Sequence, residues 1–395
     1  MARRKREWDY RWTVLVLCTL AFFATMVARL VISPVVPRIE AAFGASSGLV
    51  GLALTGLWAA YALAQFPSGV LADRYGERTV ILAAIGLTAA ASGLLSLSPS
   101  MPVFVLLTVV LGGVAGLHYS VATSLLTRTF DGVGTAIGLH NSGAPLAGLL
   151  APVAAAAVAG WVGWRASIGL GALVAAPIFL LFAWKVRPTE PARPGQPMRE
   201  RFALGPVRDL LTRPRIAFTA LLAILCEFVW QATASFLPAF LIYHHGHSAA
   251  AASALFSLYF VVHGITQPGV GVLSDRIGRD AAAGLCALSG IAGYGTLVVG
   301  AGLPVLVGAI VLVGTGMSWG AAILPRFMDN LSAEEQGAGF GLVRTAYMIV
   351  SATGSAVVGS VADLAGWGAA FSVFVALLSV VVAALVLNRT LDLGL

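Results

Sequence analysis

Apolar runs, each long enough to cross a bilayer, follow one another along almost the whole chain, separated by short polar interruptions. A spanning helix satisfies its backbone groups internally and needs about 20 apolar residues, so the runs read as membrane helices. Six are expected near 12–33, 47–69, 79–98, 101–126, 135–159 and 164–186. Six more are expected near 215–242, 249–271, 281–300, 303–324, 338–362 and 367–387. The long polar stretch between the sets, 187–214, opens Arg187, Pro188, Thr189, Glu190, Pro191 and reads as a linker that cannot enter hydrocarbon. The expected fold is all-α and integral to a membrane: an N-terminal six-helix bundle over 1–186, a cytoplasmic linker, and a C-terminal six-helix bundle over 215–395.

Composition sharpens this picture. Of 395 residues, 58% are hydrophobic and 10% charged, with mean hydropathy +0.90, which excludes a soluble domain of this length. Lys and Arg collect in cytoplasmic loops. With the N-terminus inside, 20 of the 24 lie on the cytoplasmic side, Arg38 and Arg165 lie outside, and only Arg29 and Arg344 are buried in spans. Both termini are therefore expected in the cytoplasm, with the chain multi-pass in the cell membrane. The basic start, Arg3, Arg4, Lys5 and Arg6, reads as a topology anchor, since no small-residue cleavage site follows the apolar run. The net charge of +7 lies along one membrane face, where anionic lipid sits, and gives no reason to expect nucleic acid. Cys18, Cys226 and Cys286 fall in apolar spans without metal-ligand spacing and read as small buried hydrophobes, with no disulfide expected.

The chain repeats itself. Residues 65–78, QFPSGVLADRYGER, align at an offset of 202 with residues 267–280, QPGVGVLSDRIGRD. Gln65 and Gln267, Gly69 and Gly271, Leu71 and Leu273, Asp73 and Asp275, Arg74 and Arg276, Gly76 and Gly278 coincide. At an offset of 203, Gly138 and Leu139 match Gly341 and Leu342, and Gly163 and Trp164 match Gly366 and Trp367. Two parallel halves are the signature of transporters whose site lies near the bilayer midplane, between domains that rock against each other.

The first loop, with Gly69, Leu71, Asp73, Arg74, Gly76 and Arg78, resembles the most diagnostic motif of the major facilitator superfamily, and the resemblance covers essentially the whole chain. After the second glycine the family carries a basic residue; this copy has Glu77, whereas the second has Arg279. The resemblance implies that Asp73, Arg74, Gly76, Asp275, Arg276 and Gly278 lock the cytoplasmic side in an outward-open state, with Asp131 and Asp329 as partners. Topology anchoring is the alternative for these charges. Two other family motifs are weak: Thr108 stands where span 4 would carry an arginine, and Gly143 to Gly148 resembles a degraded antiporter motif in which Pro145 and Pro152 would kink span 5.

An ionisable group at the bilayer centre costs about 2.5 to 3.5 kcal/mol on insertion scales, so each needs a partner, water or a function. Arg29 on span 1, Glu227 on span 7 and Arg344 on span 11 are the main ones, joined by His118, His140 and His263. The resemblance implies a central cavity lined mainly by helices 1, 4, 7 and 10, with help from 2, 5, 8 and 11. Glu227, Trp230 and Gln231 share one face of span 7, as do Trp58, Tyr61 and Gln65 on span 2 and Tyr259, His263 and Gln267 on span 8. Asn141 aligns with Arg344 at an offset of 203, and Trp319 on span 10 completes the candidate substrate-binding set. Ordinary packing is the alternative for the aromatics, and a structural ion pair for the charges.

Two arginines against one carboxylate favour a small organic anion, clamped by Arg29 and Arg344, with Glu227 exchanging a proton or pairing with an arginine. The second reading is proton-coupled efflux of lipophilic or cationic drugs, with Glu227 as carrier. No enzyme, cofactor or metal is expected. His244, His245 and His247 cluster in an external loop but have no carboxylate or cysteine beside them and read as solvated. The expected partners are a small-molecule substrate, coupling protons and the lipid bilayer, in a monomer driven by a gradient.

Overall fold

In the computed structural model, residues 9–195, 209–332, 335 and 338–395 are described. The basic start at residues 3–6 and residues 196–208 of the expected linker lie outside them. Eleven helical runs are long and apolar enough to cross a membrane. The last, Ala338–Thr390, is two helices, because Gly366 breaks it with φ 85° and ψ 165°. The described chain therefore makes twelve spans in two six-helix bundles, with its first and last helices on one face, called here the termini face.

The halves share their punctuation. Ser46 and Ser248, 202 residues apart, cap spans 2 and 8 (Ser47–Tyr75 and Ala249–Ile277), accepting from the amides of Leu49 and Ala251 at 3.2 Å each. Both helices then end on a glycine with positive φ, Gly76 at 82° and Gly278 at 93°, which L residues with a Cβ resist. Spans 3 and 9 (Glu77–Ser96 and Arg279–Val299) begin on the next residue. Spans 4 and 10 break at matching places: Met101–Gly116 gives way to Tyr119–Thr129 across His118, and Leu303–Gly316 to Gly320–Met328 across a 3-10 turn at Met317–Trp319.

Several bounds differ from the hydropathy reading, for local reasons. Span 1 continues past residue 33: helix Tyr10–Leu30 is followed by a 3-10 turn at Ser33–Val35 and a further helix, Val36–Phe43. Pro34 and Pro37 sit at the starts of these last two pieces, where the missing N–H costs nothing. Spans 2 and 8 each run six residues beyond their apolar stretch, carrying their Asp and Arg pairs on helix rather than loop. Span 5 breaks at Ser142, between Val133–Asn141 and Gly143–Trp161. Pro145 cannot donate to the carbonyl four residues back, that of Asn141, so the helix parts just before it, while Pro152 is carried inside the second segment.

On the face opposite the termini the bundles are sealed together. Spans 2 and 11 approach so closely that a Cβ at Gly51 would lie 2.3 Å from the Ser355 carbonyl oxygen, and one at Gly359 would lie 2.3 Å from that of Ser47. The Asp363 carboxylate accepts from the amides of Ser47 at 3.0 Å and Gly48 at 2.7 Å, capping span 2 from the other half. Nearby, the Tyr243 hydroxyl donates to Glu40 at 2.6 Å, and Ser33 to the Ser235 carbonyl at 2.8 Å. Leucines such as Leu94, Leu106, Leu173 and Leu180 point outward around the bundle, as a lipid-facing surface requires.

Candidate functional site

Between the halves, below the seal, lies a cavity of about 660 Å³ lined from spans 1, 2, 4 and 5 of one half and spans 7, 8, 10 and 11 of the other. A second hollow, of about 730 Å³, opens at the termini face beside the start of span 7 and is lined by the C-terminal half alone, so no solute there would meet both bundles.

Phe22, Met26 and Arg29 are spaced by four and three on span 1, one helical face, and all three line the cavity. Arg29 is only 4% exposed. Its Nε donates to the Thr25 carbonyl at 3.1 Å, and its guanidinium lies 4.0 Å from the Tyr61 ring centroid and 5.3 Å from that of Trp58. Arg344 donates to Gln65 Oε1 at 3.2 Å and lies 5.2 Å from the Tyr119 ring. Glu227 Oε1 accepts from Gln231 Nε2 at 2.9 Å. Among the described residues, none of these three charges stands in an ion pair with another residue. The site thus holds two guanidinium groups with no carboxylate at salt-bridge distance among the described residues: Arg29 is met by aromatic faces, the Thr25 carbonyl and the Met26 sulfur, and Arg344 by Gln65 and Tyr119, with Glu227 in the same cavity.

Of the candidate substrate-binding residues, Arg29, Glu227, Arg344, Asn141, Trp230, His263, Tyr61 and Trp319 line the cavity together. Gln231 is fully buried and reaches it through Glu227. His118 sits behind the wall, stacked on Phe22 with ring centroids 6.1 Å apart. On span 8, His263 and Gln267 line the cavity, whereas Tyr259 is fully buried. The sequence reading passed over Phe22, Met26, Tyr119, Met317 and Tyr347, which also contribute to the wall. Helical spacing to Arg29 would have found the first two, and spacing to Arg344 the last; Tyr119 and Met317 depend on where spans 4 and 10 break.

The loop charges are engaged within their own halves. Glu77, at the position where the motif departs from its pattern, pairs with Arg128 at the end of span 4. Asp280 pairs with Arg326 at the end of span 10, at 2.7 Å, so the same acid-to-arginine brace recurs one position later in the second copy. Arg78 ties span 3 to span 6 through the carbonyls of Val186 and Ala183 at 2.6 and 2.7 Å. Asp275 pairs with Arg279, which also reaches Asp329 at 3.3 Å. The Asp73 carbonyl accepts from the amide of Arg193, Arg74 lies 5.5 Å from the Tyr75 ring, and Arg276 and Asp131 are exposed. In the outer loop, His244 and His245 turn ring nitrogens to the carbonyls of Val298 and Leu297, at 3.0 and 2.8 Å.

Comparison with known proteins follows this geometry. A sequence model of the Major Facilitator Superfamily matches residues 18–251 and again 219–392. A probable nitrate/nitrite antiporter of Thermus thermophilus, NarK1, is 29% identical over 296 residues, 70% of this chain and 64% of that protein. A probable sulfoacetate transporter of Cupriavidus necator, SauU, is 28% identical over 172 residues, 43% of this chain and 40% of that protein. The chain spans between 34% and 65% of the length of the curated relatives it matches. The crystal structure of the nucleoside transporter NupG superimposes with a TM-score of 0.81 at 14% identity, over 96% of this chain and 99% of that one, which is a likeness of fold. A repeated half-chain match, twelve spans around a central cavity and a shared whole-chain fold lead to one conclusion: this protein belongs to the Major Facilitator Superfamily, a family of membrane carriers and not of enzymes.

Proposed function

We propose that this chain is a secondary transporter that carries a small organic anion across the cell membrane by alternating access. The observation that carries the reading is the pair of arginines, Arg29 and Arg344, facing one cavity with the single carboxylate of Glu227 and, among the described residues, in no ion pair. A desolvated cation is costly to leave unpaired, and two opposing forks form a natural clamp for a carboxylate or phosphate ester. The names of the nitrate/nitrite and sulfoacetate relatives support an anionic substrate. The rocking bodies are 1–186 and 215–395, joined by 187–214, in a functional monomer with both termini in the cytoplasm. In this arrangement the seal is on the outside, and the Asp73, Arg74, Asp275 and Arg276 loops are the lock that engages when the inner side closes, with Gly76 and Gly278 shaping the turns.

The test is the thermal stability of the purified protein across a panel of small carboxylates, phosphate esters and lipophilic cations, because a ligand at about 100 times its Kd adds about 2.7 kcal/mol to the native state. Stabilisation by an anion that disappears in Arg344→Gln is the expected result. Stabilisation confined to lipophilic cations and lost in Glu227→Gln would favour proton-coupled efflux instead. That second reading draws on Glu227, whose carboxylate accepts from Gln231, and on the aromatic wall around it.

A further inference from the structure

Behind the cavity wall, spans 1, 4 and 5 enclose two imidazoles that the anion clamp leaves unused. His118 stands at the break of span 4 and His140 near the end of the first segment of span 5. Both are completely buried, with ring centroids 5.6 Å apart. Among the described residues none of their four ring nitrogens makes a hydrogen bond of good geometry, although the Cys18 carbonyl of span 1 lies close to both rings. Buried polar atoms are almost always satisfied, so two rings left with one nearby carbonyl between them call for a ligand. The space between two adjacent imidazoles suits one ligand above others: a proton, which turns one ring into an imidazolium with two donors, one of them free to point at the acceptor nitrogen of the other ring.

The surroundings decide when that proton can bind. Span 1 presents the Cys18 carbonyl and, further along, Arg29. Span 4 presents Tyr119, whose ring is 5.9 Å from that of His140 and 5.2 Å from the Arg344 guanidinium of span 11. Phe22 touches both imidazoles, at 6.1 and 5.1 Å between centroids, and its other side lines the cavity. No carboxylate is among the groups that these contacts bring to the pair. An added proton therefore meets the charge of Arg29 and, beyond Tyr119, that of Arg344 while the cavity is empty, and that repulsion falls when an anion sits between them.

We propose that His118 and His140 form a proton site that fills when an anion occupies the Arg29 and Arg344 clamp, so that the anion and one proton travel together. This rests on the anion reading above. Linkage makes it reciprocal: if the anion raises proton affinity, the proton raises anion affinity by the same factor.

The experiment uses the purified full chain in detergent at pH about 7, weakly buffered, with a pH-sensitive dye. Benzoate, lactate and nitrate serve as probes because all are ionised there. Parallel thermal melts report binding. The expected result is that a stabilising probe also draws about one proton per protein from solution, and that its affinity rises up to about tenfold per unit fall in pH above the range where the pair titrates in the empty protein. His140→Gln should keep the stabilisation and lose both the uptake and the pH dependence; His118→Gln should lose the uptake too. Stabilisation without uptake in the unmodified protein overturns the proton site and leaves the anion reading standing. So does uptake that persists in His140→Gln but vanishes in Glu227→Gln. If the histidine variants do not fold, an affinity flat from pH about 5.5 to 8 in the unmodified protein decides against the pair. No stabilisation by any probe, with lipophilic cations stabilising instead, overturns the anion reading and this inference with it.

Discussion

The two ends of the bundle handle polar groups in opposite ways. On the face away from the termini, polar contacts run between the halves: Asp363 to the start of span 2, Tyr243 to Glu40, Ser33 to Ser235. At the termini face, the ion pairs of the repeated loops named above stay inside one half: Glu77 with Arg128, Asp280 with Arg326, Arg279 with Asp329. Contacts within a half persist as the halves move, whereas contacts between halves must break in each cycle. On the alternating-access reading proposed above, the braces would define the rigid bodies, and the far-face seam, built of helix caps and close glycine packing, would hold the present state.

The strongest way to break this comparison is steric. Gly51→Leu would drive a side chain into the Ser355 carbonyl of span 11 and force the seam apart. A cysteine placed at Ser33, now 3% exposed, should then react at least about tenfold faster with a bulky maleimide, a shift of about 1.4 kcal/mol between states. An unchanged rate in a folded variant would mean that the seam does not hold the state. Asp363→Ala is the milder version. It removes the cap that the other half lends to span 2 and leaves that of Ser46, a loss of about 1 kcal/mol, and should speed the same labelling about fivefold. The corresponding truncation within one half, Glu77→Gln, should leave labelling at Ser33 unchanged, and a comparable acceleration would erase the distinction between seam and brace.

The smallest expected effect lies outside the membrane. Arg213 holds the Glu335 carboxyl down at about 2, against an ordinary value of 4.5. A lowered carboxyl stabilises the fold above its unfolded value and loses that contribution as pH falls through the folded one. The difference in melting temperature between the unmodified protein and Glu335→Gln should therefore be present at neutral pH and fade between pH 4.5 and about 2. Because the pair is open to solvent, that difference should stay within about 1 °C.

Much of this was legible in the sequence. Hydropathy alone marks the spans, because lipid admits helices with satisfied backbones and little else. The repeat of Gly76 and Gly278 foretells matching turns, and both adopt the positive φ that explains the glycines. Arg29, Glu227 and Arg344 stand out as costly charges before any coordinates exist, and they do converge on one cavity. Less legible was what stands beside them. Tyr119 beneath Arg344, the aromatic cage around Arg29, and the burial of His118 and His140 against each other join residues from different spans.

The reason is one of range. Span position, end-capping and helix breaks follow from residues within a few turns of one another, so the sequence by itself determined a twelve-span, two-half carrier with three buried charges. Which charges go unpaired, which face of the seam is closed, and which imidazoles meet are set by packing between helices up to about 300 residues apart, as in the bond from Thr55 to Ala352, and only the tertiary structure decided them.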